Sequence, residues 1–123
     1  MQPLNVVLLQ SDAGTVRTLS ASLSNYFRSV REARSVADVR ASVKKRSAQV
    51  IILDMEVASL PDVERLSHDF PGVSIVCNHR LADEKMWAAT LGAGAVDCCA
   101  SSDPHSILEA ARRSAARAPA IAA

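Results

Sequence analysis

Short runs of branched apolar residues alternate along this chain with stretches of helical spacing. Val6-Val7-Leu8-Leu9 reads as a first strand, and Gln10 to Thr15 follows as a polar, Gly-containing turn. Val16, Leu19, Leu23 and Phe27 recur at intervals of three and four, which predicts a helix from about Thr15 to Phe27 with these four on its inner face. Ser29 to Arg34 holds a more polar candidate, Val30-Arg31-Glu32-Ala33, suited to an edge strand. Val36, Val39 and Val43 mark a second helix ending in Lys44-Lys45-Arg46, a charge that favours a helix C-terminus. Val50-Ile51-Ile52-Leu53 is continuously apolar, as in a strand covered on both faces, and it stops at Asp54.

The loop from Met55 contains Pro61, suited to starting a third helix that runs to about Phe70. Pro71-Gly72 is a turn, and Val73 to Cys77 is the fourth strand. Asp83 and Glu84 favour the first turn of a helix through Leu91, with Met86, Trp87 and Leu91 expected on its packed side. Gly92-Ala93-Gly94 interrupts it, Ala95 to Ala100 forms a fifth strand, and Asp103-Pro104 caps and opens a last helix carrying Ile107, Leu108 and Ala111 inward. The domain is expected to span 1–116, with 117–123 as a flexible tail.

Strict strand–helix alternation implies an α/β fold, a parallel sheet with helices on both faces. Loops following the strands then open on one edge, where such folds place ligands. Asp12 and Asp54 should meet there. A length of 123 residues fits one domain, and a composition 49% hydrophobic but only 3% aromatic requires a core of Val, Leu, Ile and Ala. The formal charge of +1 selects neither nucleic acid nor an anionic membrane. No apolar run approaches the roughly 20 residues of a membrane helix, and the N-terminus has no signal-peptide pattern, so a cytoplasmic protein is expected. Three cysteines, Cys77, Cys98 and Cys99, are an odd number and are expected as buried thiols.

Two converging carboxylates with a backbone carbonyl just beyond Asp54 are ligands that a hard divalent cation such as Mg²⁺ accepts. A cation would relieve their repulsion and leave Asp54 as a carboxylate nucleophile able to form an acyl phosphate. With these residues in this order, the chain resembles the receiver domain of bacterial two-component response regulators over essentially its whole length. Val50 to Asp54 resembles the family's third strand ending in its phosphoacceptor. Ser11-Asp12 falls at its acidic pair, and Gly94-Ala95-Val96-Asp97 is similar to its Gly-Ala-x-Asp. The resemblance implies a flavodoxin-like (βα)5 doubly wound sheet of strand order 2-1-3-4-5 and a signalling domain rather than an enzyme. It assigns Asp54 as phosphoacceptor, Asp12 as main Mg²⁺ ligand, the Glu56 carbonyl as a further ligand, and Ser11 as a weak one.

Departures from the family pattern bear on switching. Ser11 removes one negative charge from the acidic pair. The family's Lys falls at Ser101, the following Pro at Ser102, and the aromatic switch position at Cys98. The hydroxyl position after the fourth strand falls at Asn78, with Cys77 as the alternative, and His79 would narrow access to Asp54. Ala58 stands where the family has a Pro. Losing a charge-assisted bond from the Lys costs about 1.5–3 kcal/mol, which predicts weakened switching unless Arg80 reaches in. A phosphorylation-independent pseudo-receiver used for docking or dimerisation is the alternative.

The partners implied are a histidine kinase or phosphotransfer protein, and an output protein or second copy bound through the fourth helix, fifth strand and fifth helix. An FMN or nucleotide binder would share the alternation, but a carboxylate occupies the loop where its phosphate cradle belongs. Cys77, His79, Cys98 and Cys99 suggest zinc or redox chemistry, yet adjacent strand residues face opposite ways, so at most one of Cys98 and Cys99 could join Cys77.

Overall fold

The computed structural model describes residues 2–117 and the side chains of 4–114. The elements alternate as β1 (Gln2–Leu9), α1 (Ala13–Ser24), β2 (Phe27–Glu32), α2 (Val36–Arg46), β3 (Ala48–Asp54), α3 (Leu60–Asp69), β4 (Ser74–His79), α4 (Glu84–Ala93), β5 (Asp97–Ala100) and α5 (Pro104–Arg117). All strand pairings are parallel and the order is β2-β1-β3-β4-β5, as expected. The chain reverses its direction across the sheet between β1 and β3, so the loops after those strands part and leave a crevice at their C-terminal ends.

Alternation along the strands sorts the core into two layers. Val6, Leu8, Val50, Ile52 and Val76 pack with Leu19 and Leu23 of α1 and Ile107 and Ala111 of α5. Val7, Leu9, Ile51, Leu53 and Ile75 pack on the other face with Val39 of α2 and Val63 and Leu66 of α3. Each large aliphatic side chain so buried contributes about 1.5–3 kcal/mol. β3 lies between both layers, which accounts for its unbroken apolar run.

Several boundaries move from the sequence expectation. α1 ends at Ser24 and Phe27 begins β2, where it is buried and registers with Gln2. Its spacing of four from Leu23 imitates a helical face, but the chain turns at Asn25, whose N–H caps the helix. β2 correspondingly ends at Glu32, β1 starts earlier than Val6, β4 runs on to His79, and β5 starts at Asp97 rather than Ala95. Trp87 is 46% exposed instead of packed, Leu91 is half-buried, and Thr90 is the buried residue of α4. Met86 packs against the core as expected, and beside it the helix offers Ala93 and the buried Thr90, a stripe too faint for a hydrophobic count. The expected tail, 117–123, lies outside the described residues apart from Arg117, which ends α5. No helix among the described residues is long and apolar enough to cross a membrane.

α3 illustrates local encoding. The Ser59 hydroxyl accepts from the Asp62 N–H while the Asp62 carboxylate accepts from the Ser59 N–H at 2.9 Å, a reciprocal cap, and Pro61 occupies the first turn. Ser59→Ala is expected to lower stability by about 1 kcal/mol, read as a shift in the urea midpoint at unchanged slope.

Candidate functional site

Asp54 ends the central strand and is 2% exposed, flanked in register by Asn78 of β4. A buried carboxylate needs donors, and three reach it. Its Oδ2 accepts from the Ser11 N–H at 2.9 Å and from the Ser11 hydroxyl at 2.6 Å, while Oδ1 accepts from the Glu56 N–H at 2.9 Å. The Asp54 carbonyl accepts from the N–H groups of Val57 and Ala58, which makes the tight turn after β3. Ser11, the departure from an acidic pair, therefore acts as a direct donor to Asp54.

Asp12 caps α1. Its Oδ2 accepts from the Thr15 N–H at 2.8 Å and the Thr15 hydroxyl at 3.0 Å, and these bonds, the amide first, hold its carboxyl below the usual range. Asp12 and Asp54 both line one mouth of about 440 Å³ with Gln10, Thr15, Glu56 and Arg80, and Ser101 and Ser102 complete its rim. The edge expected to gather them does so.

Oxygens of both carboxylates already accept from protein donors, and the Glu56 carboxylate is held by Arg80 Nε at 2.6 Å. Among the described residues no three His, Cys, Asp or Glu side chains come together as a metal-holding group.

Beneath the mouth lies a neutral network that the sequence did not reveal. Gln10 Nε2 donates to Asn78 Oδ1 at 2.8 Å, and Asn78 Nδ2 donates back to Gln10 Oε1 at 3.0 Å and on to the Ser101 hydroxyl at 2.8 Å. It ties the loop after β1 to β4 and to the end of β5 across the tip of β3. Asn78 is fully buried, so all its amide hydrogen bonds are made inside the protein. Gln10, the first residue after an apolar strand, was the available signal. It has meaning only with Asn78 beside it.

His79 does not narrow the mouth. Its Nδ1 accepts from the Leu81 N–H at 2.9 Å, and it is not among the residues lining the opening. Cys77 registers with Cys98 and faces the α2–α3 layer, whereas Cys99 faces the α1–α5 layer, the separation that strand alternation requires. Burial raises all three thiols, that of Cys99 to about 12. They should resist alkylation in the native state at pH 8 and react only after unfolding, as counted by mass on intact protein.

No protein-family model matches the chain, and no curated protein matches it. Solved structures do. A signal receiver domain of a two-component response regulator from Bacteroides fragilis superposes with a TM-score of 0.82 at 18% identity, covering 92% of this chain and 97% of that one. A CheY-like receiver domain protein from Methanospirillum hungatei JF-1 gives 0.82 at 14% identity over 98% and 99% of the two chains. A response regulator from Thermotoga maritima gives 0.83 at 17%, covering 93% and 98%. The fold is that of response-regulator receiver domains. Within this receiver fold, Asp54 ends the third strand, and the Ser101 hydroxyl at the end of the fifth accepts from Asn78 rather than offering a cation.

Proposed function

We propose that this chain is a receiver-like signalling domain of the two-component kind, with Asp54 in the phosphoacceptor position and a phosphate-driven switch weakened by Ser101. The observation carrying this reading is the buried Asp54 carboxylate at the tip of the central strand, met by three donors from Ser11 and Glu56. Phosphorylation would require an Asp54 oxygen to attack the phosphorus of a donor, forming an acyl phosphate as the donor's own bond to phosphorus breaks. Ser11 would have to release that oxygen, and its N–H and hydroxyl could then donate to the new phosphoryl oxygens.

Neutral donors stabilise such a group less than an ammonium, whose charge-assisted bond is worth about 1.5–3 kcal/mol. Arg80 is the nearest substitute on the rim, 75% exposed and tethered by Glu56. Mg²⁺ would bind only weakly, because Ser11 supplies no second carboxylate beside Asp12, whose Oδ2 also caps α1. A histidine kinase or phosphotransfer protein would load Asp54 in the cytoplasm. An output protein or a second copy would bind the α4–β5–α5 face, where Trp87 and Val96 are exposed beside the Asp97–Arg113 ion pair. The closed Gln10–Asn78–Ser101 network favours a second reading, a pseudo-receiver that docks without phosphate.

Amide NMR with Mg²⁺ followed by beryllofluoride, alongside Asp54→Asn, tests the proposal. Shifts at Ser11, Asp54 and Glu56 that spread to α4 and are lost in the variant support phosphate switching. A silent spectrum from a folded sample rejects it and leaves the docking role.

A further inference from the structure

Asp54 is 2% exposed, yet the hydroxyl that meets its Oδ2 at 2.6 Å belongs to an exposed residue, Ser11. A hydroxyl needed only to satisfy a buried carboxylate would ordinarily be enclosed with it, and the same oxygen already accepts from the Ser11 N–H. The distance is that of a charge-assisted O–H···O⁻ bond, so the hydroxyl hydrogen is held on the line to Asp54. The lone pairs of Oγ then face away from the carboxylate, on the wall of the mouth of about 440 Å³ that Ser11 lines with Thr15 and Arg80.

A nucleophile, a base within hydrogen-bond reach of its proton and an open cleft in front of it are the elements of hydroxyl phosphorylation. Protein kinases use a carboxylate for this proton, since phosphoryl transfer asks mainly for positioning and for charge at the transferred oxygens. Here the neutralising charge on the rim is Arg80, which meets Glu56 through Nε, is 75% exposed, and makes no other ion pair among the described residues. Asp54 itself is the less ready acceptor. Three donors engage its two oxygens, and a phosphorus atom could approach Oδ2 only after Ser11 moved aside. Ser11 needs no such rearrangement.

We propose that Ser11 is itself a phosphoryl acceptor, with Asp54 as its general base and a small-molecule acyl phosphate as donor. Ser11 Oγ attacks the phosphorus, its proton passes to Asp54 Oδ2, and the donor's bond between phosphorus and the acyl oxygen breaks, releasing a carboxylate. This rests on the reading of the mouth as a place that admits a phosphoryl donor, and differs in the atom that keeps the group. The product is a phosphate monoester rather than a mixed anhydride, so it persists where an acyl phosphate would hydrolyse. Its ester oxygen carries no hydrogen, so Asp54 Oδ2 keeps only the Ser11 N–H.

Native protein, Ser11→Ala, Ser11→Thr and Asp54→Asn, each shown to be folded by its amide spectrum, are incubated with acetyl phosphate and Mg²⁺. Intact mass is read before and after hydroxylamine, which cleaves acyl phosphates and spares phosphoserine. The proposal expects a hydroxylamine-resistant phosphoryl group that fragmentation maps to Ser11, that is absent in Ser11→Ala and that returns in Ser11→Thr. Asp54→Asn should form it about a hundredfold more slowly, the loss expected on removing a general base. A hydroxylamine-labile group that Ser11→Ala keeps and Asp54→Asn loses would overturn Ser11 as acceptor while supporting Asp54. No mass gain in the native protein, or a resistant group mapped elsewhere, overturns Ser11 and leaves Asp54 to the beryllofluoride test. A resistant group that Asp54→Asn forms at the native rate overturns the role of Asp54 as base.

Discussion

Ser11→Asp combined with Ser101→Lys is expected to raise the occupancy of Asp54 by beryllofluoride about ten- to a hundred-fold at fixed Mg²⁺. The estimate follows from restoring one charge-assisted bond of about 1.5–3 kcal/mol. In the native chain Ser11 donates twice to Asp54, at 2.9 and 2.6 Å, which stabilises the bare carboxylate and competes with any ligand for it. Asp at position 11 removes the hydroxyl and sets a second negative charge nearby, which only a cation relieves. Lys at position 101 displaces the hydroxyl that Asn78 bonds and brings an ammonium toward the mouth. Asn78 keeps its two bonds to Gln10, so the fold should survive. Ser11→Asp alone should be less stable without Mg²⁺ and regain stability on its addition, read by thermal melting. If the double variant takes up no more beryllofluoride than the native chain, burial of Asp54 rather than the missing cation limits the site.

The other large effect concerns the scaffold. Gly94→Ala should lower stability by about 2–6 kcal/mol, from a left-handed backbone strain of about 1–3 and overpacking of similar size. Gly94 closes α4 with φ of 121° and donates its N–H to the carbonyls of Leu91 and Thr90. An added Cβ would lie 2.3 Å from Ser67 Oγ and 2.5 Å from Ser67 Cβ. A hydroxyl can rotate away, but a Cβ fixed to the α3 backbone cannot, so α3 and α4 must separate. Gly72→Ala is the control, since a Cβ there meets nothing within 4 Å and its stability should change by less than about 0.5 kcal/mol. Equal urea midpoints for the two variants would disprove the packing argument.

Features encoded within a few residues were legible in the sequence. The run from Val50 to Asp54, the Pro61 start of α3 and the Asp103-Pro104 start of α5 each carry their signal locally, and alternation then ordered the sheet. Phe27 misled because a spacing of four is shared by a helix face and by a residue just beyond a short turn. Trp87 misled because size suggests burial, while the indole lies at the surface with Nε1 donating to Asp97 at 3.2 Å. At the site, topology alone brought Asp12 and Asp54 to one edge. The partners of their oxygens were illegible, because Ser11, Thr15 and Glu56 act through amides and hydroxyls common to many residues. Gln10 and Asn78 are 68 residues apart, and no local pattern relates them.

That amide pair also determines how the strand tips respond to their surroundings. Gln10, Asn78 and Ser101 carry no net charge, so their mutual bonds neither titrate nor weaken with added salt as an ammonium–carboxylate contact would. The register among β1, β4 and β5 at this edge should therefore hold from mildly acidic to alkaline buffer and from dilute to concentrated electrolyte. The contacts that join these strand tips are insensitive to acidity and electrolyte alike, and constancy of shape is what this end of the molecule offers to whatever contacts it.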